Sequence, residues 1–338
     1  MKKSMLLGAL TVAGLAAGAA SASTLEDVKA RGELNCGVNT GLVGFAAPDA
    51  NNNWQGFDID ICRAVAAAVL GDPDAVKYVP LTGKTRFTAL AAGEIDMLSR
   101  NTTWTFSRDV DLKFEFVGVN YYDGQGFIAP RELGVTSAKD LDGATVCIQT
   151  GTTTELNLAD FFRSNSISYE PVPIETNAEA LQQLLAGACD VYTTDASGLA
   201  ASRATFENPG DWVILPEIIS KEPLGPLVRH GDNDWGDIVR WTLNALVAAE
   251  ELGVTSANVA ELSNGTDNPE VNRLLGTEGG LGEMLGLDAD WAANALAVTG
   301  NYGEIFERHI GENTPIGLAR GLNAQWTEGG LLYAPPFR

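Results

Sequence analysis

Two matched segments, far apart in the chain, constrain this sequence most. One runs Gly93-Glu94-Ile95-Asp96-Met97-Leu98 and on to Arg108; the other runs Gly187-Ala188-Cys189-Asp190-Val191-Tyr192 and on to Asp195. Each follows an apolar helical stretch ending in Ala-Gly, passes through an Asp into a short strand, and ends in a polar cluster. The first cluster carries hydroxyls and cations (Thr103, Arg108); the second carries a carboxylate (Asp195). A zwitterion needs one of each, an arginine fork for its carboxylate and an acid for its ammonium. Two similar lobes with opposite charges at their strand ends imply a cleft that closes on a free amino acid.

The pattern around these segments supports two α/β lobes. Thr24 to Gly32 reads as a short helix, Leu34–Val38 as a strand, Ala64–Val69 as the body of a helix closed by Gly71, Tyr78–Leu81 as a strand and Arg86–Ala92 as a helix. A second unit begins at Thr145, with helices over Glu155–Arg163 and Ala178–Ala186. Alternating strands and helices predict a mainly parallel sheet in each lobe. The Gly-containing stretch Val119–Ile128 reads as the first crossover, and Ile218–Ser220 as the return. Trp235–Ala249 has helical spacing, with Trp235, Ile238, Val239, Leu246 and Ala249 on one side. Short helices are expected at 268–275, 290–299 and 301–310, packed on the first lobe. The expected division is 23–125 and 222–338 for lobe 1, with 126–221 for lobe 2 and two crossover hinge strands between them.

Met1-Lys2-Lys3, an apolar stretch broken by Gly14 and Gly18, and Ala20-Ser21-Ala22 form the pattern of a secretory signal cleaved after Ala22. The apolar stretch is shorter than the roughly 20 residues that span a bilayer. Later segments are shorter still, so no membrane insertion is expected. Removing residues 1–22 deletes two lysines and no acid, which takes the formal charge from -22 to -24. So acidic a surface argues against nucleic acid as a partner. Four cysteines in an exported chain suggest two disulfides, with three possible pairings. Cys36–Cys62 with Cys147–Cys189 keeps each bridge within its own lobe and is the favoured one. Each bridge stabilises by about 3–4 kcal/mol in the chain-entropy picture.

Metal and enzyme chemistry have little to stand on. No Cys-x-x-Cys spacing occurs, and His230 and His309 have no nearby cysteine or nucleophile context. Asp58 and Asp60 alternate with Phe57, Ile59 and Ile61, which suits a helix start with a solvated face better than metal ligation. Phosphate-loop, dinucleotide and nucleophile-elbow fingerprints do not occur, so no cofactor is expected. Thr152 and Glu155 have capping-box spacing at a strand-to-helix junction, where free helix amides can receive an anion.

Gly56-Phe57-Asp58-Ile59-Asp60-Ile61 with Val65-Ala66 resembles the signature of the family 3 extracellular solute-binding proteins, which serve polar amino-acid ABC transporters. Asn101-Thr102-Thr103 with Arg108, Thr150-Gly151-Thr152-Thr153 and Thr193-Thr194-Asp195 resemble the stretches with which such proteins hold ligand. Cys36-Gly37-Val38-Asn39, Asn101-Thr102-Thr103-Trp104-Thr105, Thr153-Thr154-Glu155-Leu156 and the long C-terminal extension are similar to the general L-amino-acid and glutamate/glutamine/aspartate/asparagine-binding branch. The resemblance implies a type II two-lobe periplasmic binding protein, monomeric, that binds a free L-amino acid and delivers it to an inner-membrane ABC permease. It implies that Arg108, with Thr103 and the Thr153 amide, holds the α-carboxylate. Asp195, with the Asn101 carbonyl and the Thr103 hydroxyl, would hold the ammonium. Thr152 starts the lobe 2 helix beside them, and Arg86, Asn39 and Gln149 stand where relatives read the side chain. Asn39 and Gln149 are neutral where some relatives carry a cation, which fits binding of acids and amides alike. Gly83 replaces an aromatic wall. Two rivals share the scaffold: a periplasmic dehydratase of the cyclohexadienyl or arogenate type, and a chemosensory binding protein.

Overall fold

A computed structural model describes residues 23–338; the expected signal segment 1–22 and its cleavage after Ala22 lie outside the described residues. The chain opens with α1 (Thr24–Arg31), β1 (Leu34–Asn39), the hairpin β2 (Ala47–Pro48) and β3 (Trp54–Gln55), α2 (Phe57–Leu70), β4 (Val76–Leu81), α3 (Arg86–Ala91), β5 (Met97–Leu98) and β6 (Phe114–Phe116). It crosses through β7 (Tyr121–Asp123) into β8 (Gln125–Pro130), β9 (Ala144–Gln149), α4 (Thr153–Asn165), β10 (Tyr169–Ile174), α5 (Asn177–Leu185), β11 (Val191–Asp195), α6 (Ala196–Arg203) and β12 (Trp212–Ile214). It returns through β13 (Glu222–Leu224) to β14 (Leu227–Arg229) and α7 (Asn233–Glu251). The last part of the chain forms short helices α8 (Val259–Leu262), α9 (Pro269–Leu274), α10 (Leu281–Met284), α11 (Trp291–Thr299) and α12 (Tyr302–His309).

Local chemistry accounts for the boundaries. Ser23 and Glu26 close a capping box on α1, and Gly32 ends it in the left-handed region. Gly71 stops α2 in the same way.

The two five-stranded sheets have one plan, β4-β1-β5-β14-β6 and β10-β9-β11-β8-β12. β1 is parallel to β4 and β5, and β9 is parallel to β10 and β11. β14 and β8 run antiparallel to both of their neighbours. Each sheet is therefore mainly parallel, as expected, with one inverted strand. That strand is the one delivered from the other lobe, and it enters from the cleft side. The matched aspartates do the same job twice: Asp96 accepts from the Asn35 amide at 2.7 Å and Asp190 from the Thr145 amide at 2.7 Å, pinning β5 to β1 and β11 to β9. Disulfides Cys36–Cys62 and Cys147–Cys189 each stay within one lobe.

The crossing strands β7 and β13 pair antiparallel, Glu222 opposite Asp123 and Leu224 opposite Tyr121. The return crossing falls later than Ile218–Ser220 because Leu215 and Ile219 still donate to the backbone of Phe127 and Gln125 on the lobe 2 edge. β13 is held on its other side too: the Trp104 amide donates to Pro223, and the Gly225 amide to Thr102.

The C-terminal helices join the lobe 1 core, with Trp291, Leu296, Tyr302 and Phe306 buried beside Phe57 and Val65. This overturns the solvated face expected for Asp58 and Asp60, both of which are buried. The extension covers that side of α2. Asp60 receives Arg308 at 2.6 Å and His309 at 2.7 Å from α12. Asp58 faces the opposite way and accepts from the Asn101 amide at 3.2 Å and Ser99 Oγ at 3.3 Å. The extension also reaches the hinge: Asn323 accepts from the Tyr122 amide at 2.7 Å and donates to its carbonyl at 3.1 Å, along the free edge of β7. Tyr302 adds a bond from its hydroxyl to the Asn120 carbonyl at 2.8 Å.

Candidate functional site

In open α/β sheets, ligands gather outside the carboxyl ends of parallel strands. Here the strand ends of both sheets face each other across one enclosed cleft. Lobe 1 contributes Asn39 from the end of β1, Arg86 from the start of α3, and Arg100, Asn101 and Thr103 from the loop after β5. Lobe 2 contributes Gln149 from the end of β9, Thr152 and Thr153 from the start of α4, and Asp195 from the end of β11. Eight of the nine expected site residues thus line one space.

Arg108, the ninth, stands behind that lining. It lies in a π-helical turn, Ser107–Asp111, donates from Nη1 to the Thr103 carbonyl at 2.8 Å, and packs its guanidinium 5.1 Å from the Phe87 ring. Arg86 sits 4.8 Å from the same ring. Burial, and then the neighbouring arginines Arg100 and Arg108, push the Arg86 guanidinium well below its usual range. Arg100 and Arg108 are lowered to about 10, chiefly by burial. Among the described residues no acid lies within ion-pair distance of Arg86, Arg100 or Arg108, so the lobe 1 wall holds three buried cations without a contacting anion. The Arg86 Nε and Asn101 Oδ1 have no hydrogen-bond partner.

The lobe 2 pole has the opposite sign. Asp195 precedes α6 without capping it, so its carboxylate is not spent on the helix. Burial raises its pKa well above the ordinary carboxylate range, and the charges of Asp123 and Glu222 raise it further. Asp123, pushed up to about 6 mainly by burial, accepts from the Ser197 amide and hydroxyl at the start of α6. A cluster of carboxylates without a contacting cation is a place for an ammonium.

The neutral amides present donors. Asn39 Oδ1 accepts from the Gly41 amide at 3.1 Å, and Gln149 Oε1 accepts from the Tyr192 hydroxyl at 3.2 Å. Each side-chain NH2 is left for another acceptor. The capping box expected from Thr152 and Glu155 at α4 does not form. Glu155 accepts from the Gly151 amide at 3.1 Å, while Thr152 Oγ1 turns to the Gln149 carbonyl at 2.6 Å. Where relatives were expected to place an aromatic wall, Gly83 lies directly against lobe 2. A Cβ there would stand 2.7 Å from the Thr150 carbonyl oxygen. Lys84 meets Glu175 at 3.1 Å across the same lip.

Sequence reasoning missed Glu222, Asp123, Tyr192 and Asn177 in and around the site. Asp123 and Glu222 lie in the crossovers, where the only sequence signal is an acid among Gly and Pro. No group of three His, Cys, Asp or Glu side chains suited to a metal occurs among the described residues.

Two lobes of one plan, linked by paired crossing strands and facing each other with opposite charges, define a type II periplasmic-binding fold built to enclose a small zwitterion. The chain belongs to the bacterial extracellular solute-binding proteins, family 3, whose model matches residues 34–257. It is similar over its whole length to the glutamate/glutamine/aspartate/asparagine-binding protein BztA of Rhodobacter capsulatus, 68% identical with 100% of each chain covered. It is also similar to the general L-amino acid-binding periplasmic protein AapJ of Rhizobium johnstonii, 59% identical with 100% of each chain covered. A solved periplasmic binding protein from Brucella ovis, described with glutathione bound, superposes with a TM-score of 0.91 at 56% identity, covering 94% of this chain and 100% of that one. These relatives are transport binding proteins, not enzymes.

Proposed function

We propose that the mature chain is the periplasmic, monomeric binding component of an ABC transporter for polar L-amino acids: glutamate, glutamine, aspartate and asparagine. In this reading residues 23–125 with 222–338 move as one lobe and 126–221 as the other, about the β7/β13 ladder. The closed form docks on an inner-membrane permease. The observation that carries the reading is the pair of poles, buried Arg86 and Arg100 with Arg108 behind Thr103 on one wall, and Asp195 on the other. Arg108 and the amides at the start of α4 take the α-carboxylate. Asp195, the Asn101 carbonyl and the Thr103 hydroxyl take the ammonium.

At the far end, donors on Arg86, Asn39 and Gln149 meet a side-chain oxygen, which acids and amides both have. The unpartnered Asn101 Oδ1 is the acceptor available to an amide NH2. This matches what the name of BztA says of that protein. The glutathione described with the Brucella protein belongs to the same chemistry, because a γ-glutamyl group keeps a free α-ammonium and α-carboxylate. Ligand drives closure by touching both lobes at once. Micromolar affinity corresponds to about -8 kcal/mol, within reach of a few charge-assisted bonds in a dry cleft.

Calorimetric titration of the chain beginning at Ser23 against the full set of L-amino acids and glutathione tests this. Saturable binding of the four polar amino acids is expected. Binding confined to apolar or cationic amino acids, or none at all, overturns the reading.

A further inference from the structure

Glu222 is a buried carboxylate on the return strand β13, between the lobes. Its Oε2 accepts from Thr103 Oγ1 of lobe 1 at 2.5 Å and from Thr153 Oγ1 of lobe 2 at 2.9 Å. Its Oε1 accepts from Asn157 Nδ2 at 2.7 Å and Ser220 Oγ at 2.6 Å. Ser220 Oγ in turn receives the Gln125 amide at 3.3 Å, so its one proton goes to Glu222. Four donors satisfy the carboxylate without any arginine contact.

The backbone fixes this geometry. Thr103 bridges Leu224 on β13, two residues from Glu222. The proline after Glu222 holds it extended. Thr103 also lines the cleft. A threonine hydroxyl has one proton and two lone pairs. With the proton committed to a carboxylate that accepts from four donors, Thr103 can offer the cleft only lone pairs.

We propose that Glu222 is a positioning residue for ammonium recognition: by taking the Thr103 proton it turns that hydroxyl into an obligate acceptor, so the site admits an α-ammonium and disfavours a carbonyl oxygen at the same place. The inference rests on the amino-acid reading above. It adds that the choice between an amino acid and its 2-oxo acid is set from the hinge, by a residue that touches no ligand.

The donor count sets the effect of Glu222→Gln. The amide must donate where the carboxylate accepted. If it donates to Thr103, the threonine proton turns into the cleft and confronts the ammonium. A residue that merely latches the lobes would weaken binding through Thr153 and Asn157 whatever stands at 103. The readout is therefore a double-variant cycle. L-glutamate and L-glutamine are titrated into wild type, Glu222→Gln, Thr103→Val and the double variant, with ligand-free melting as the folding control.

Glu222→Gln is expected to weaken both ligands about tenfold or more in the wild-type background. In the Thr103→Val background it should weaken them by less than about threefold, the coupling expected of one shared hydrogen bond. Losses that multiply in the double variant, or a Glu222→Gln affinity equal to wild type, overturn the role of Glu222 alone. Wild type that takes up neither amino acid overturns the parent reading with it. Should Glu222→Gln fail to fold, Asn157→Ala removes a donor to Glu222 from outside the cleft lining. A loss that disappears with Thr103→Val upholds the proposal, and a loss that persists there overturns it.

Discussion

Lobe 1 and lobe 2 share a sheet plan, a pinning aspartate, a disulfide and an amide at the end of the first strand, yet they present opposite charges. The common parts, Asp96 and Asp190 or Asn39 and Gln149, belong to the scaffold and fall at matching places. The charges come from the segment just past the last matched strand. Lobe 1 continues into Arg100 and a π-helical turn carrying Arg108; lobe 2 stops at Asp195 and goes straight into α6. In the proposed reading a duplicated plan fixes where a ligand is held, and a few loop residues decide which end of it each lobe receives. The two poles also differ in support. Arg108 is tied to Thr103 and stacked on Phe87, whereas Asp195 is crowded by like charges.

The largest test of that contrast is Asp195→Asn against Arg108→Ala. Asp195→Asn leaves an ammonium unpaired in a buried site, and every α-amino acid should lose about 3–5 kcal/mol of binding in calorimetry. The ligand-free chain should melt at the same temperature or higher, because a crowded carboxylate is removed. Arg108→Ala should also weaken every ligand but lower the ligand-free melting temperature, since it frees the Thr103 carbonyl. Equal stability changes in the two variants would erase the distinction.

Arg86→Ala asks whether the lobe 1 wall reads the side chain. Glutamate and aspartate should lose about 1–3 kcal/mol more than glutamine and asparagine, because only the acids lose a bond between two ions. Equal losses would make Arg86 part of the α-carboxylate pole. Gly83→Val probes the lip where the lobes touch. Overpacking against the Thr150 carbonyl should weaken all ligands together by about 1–3 kcal/mol, with little change in ligand-free melting. Ligand-selective losses would place Gly83 in the side-chain pocket instead.

A last test is a pH dependence of opposite sign for stability and binding. Asp58 and Asp123 are raised to about 6 and Asp195 is raised further, each chiefly by burial. Between the ordinary carboxylate pKa and these values the folded chain binds more protons than the unfolded one, so these groups cost stability as pH rises. From about pH 7 to pH 5 the ligand-free melting temperature should rise. Ammonium binding needs Asp123 and Asp195 ionised, so affinity should fall over the same range, by at most about tenfold per pH unit for each proton taken up. Affinity that holds steady to pH 5 would detach the carboxylate cluster from the ammonium.

What the sequence made legible was local or repeated. The Gly-x-x-Asp segments, helix stops at Gly32 and Gly71, and the strand-end positions of Asn39, Gln149 and Asp195 could be read because near neighbours determine them. Contacts between distant segments could not. Asp60 looked solvated because Arg308 and His309 of α12, which cover it, lie 248 and 249 positions away, and Asp58 because its partners Ser99 and Asn101 lie 41 and 43 positions away, all beyond the reach of a periodicity argument. Glu222 and Thr103 meet only because β13 pairs on both edges. The capping box failed because Thr152 Oγ1 turns back to donate to the Gln149 carbonyl at the end of β9, while Glu155 takes the Gly151 amide one residue before the helix cap.

Asn323, pairing with both backbone groups of Tyr122, gives the two-stranded hinge a third ply. A ribbon of two strands twists easily; one bonded along its outer edge must drag that edge as it turns. Beyond Asn323 the chain carries Trp326 and Tyr333, packed edge to face and both exposed. The residue that braces the hinge and this exposed aromatic pair thus belong to one short stretch of tail, so the end of the chain is tied to the part of the molecule between the lobes.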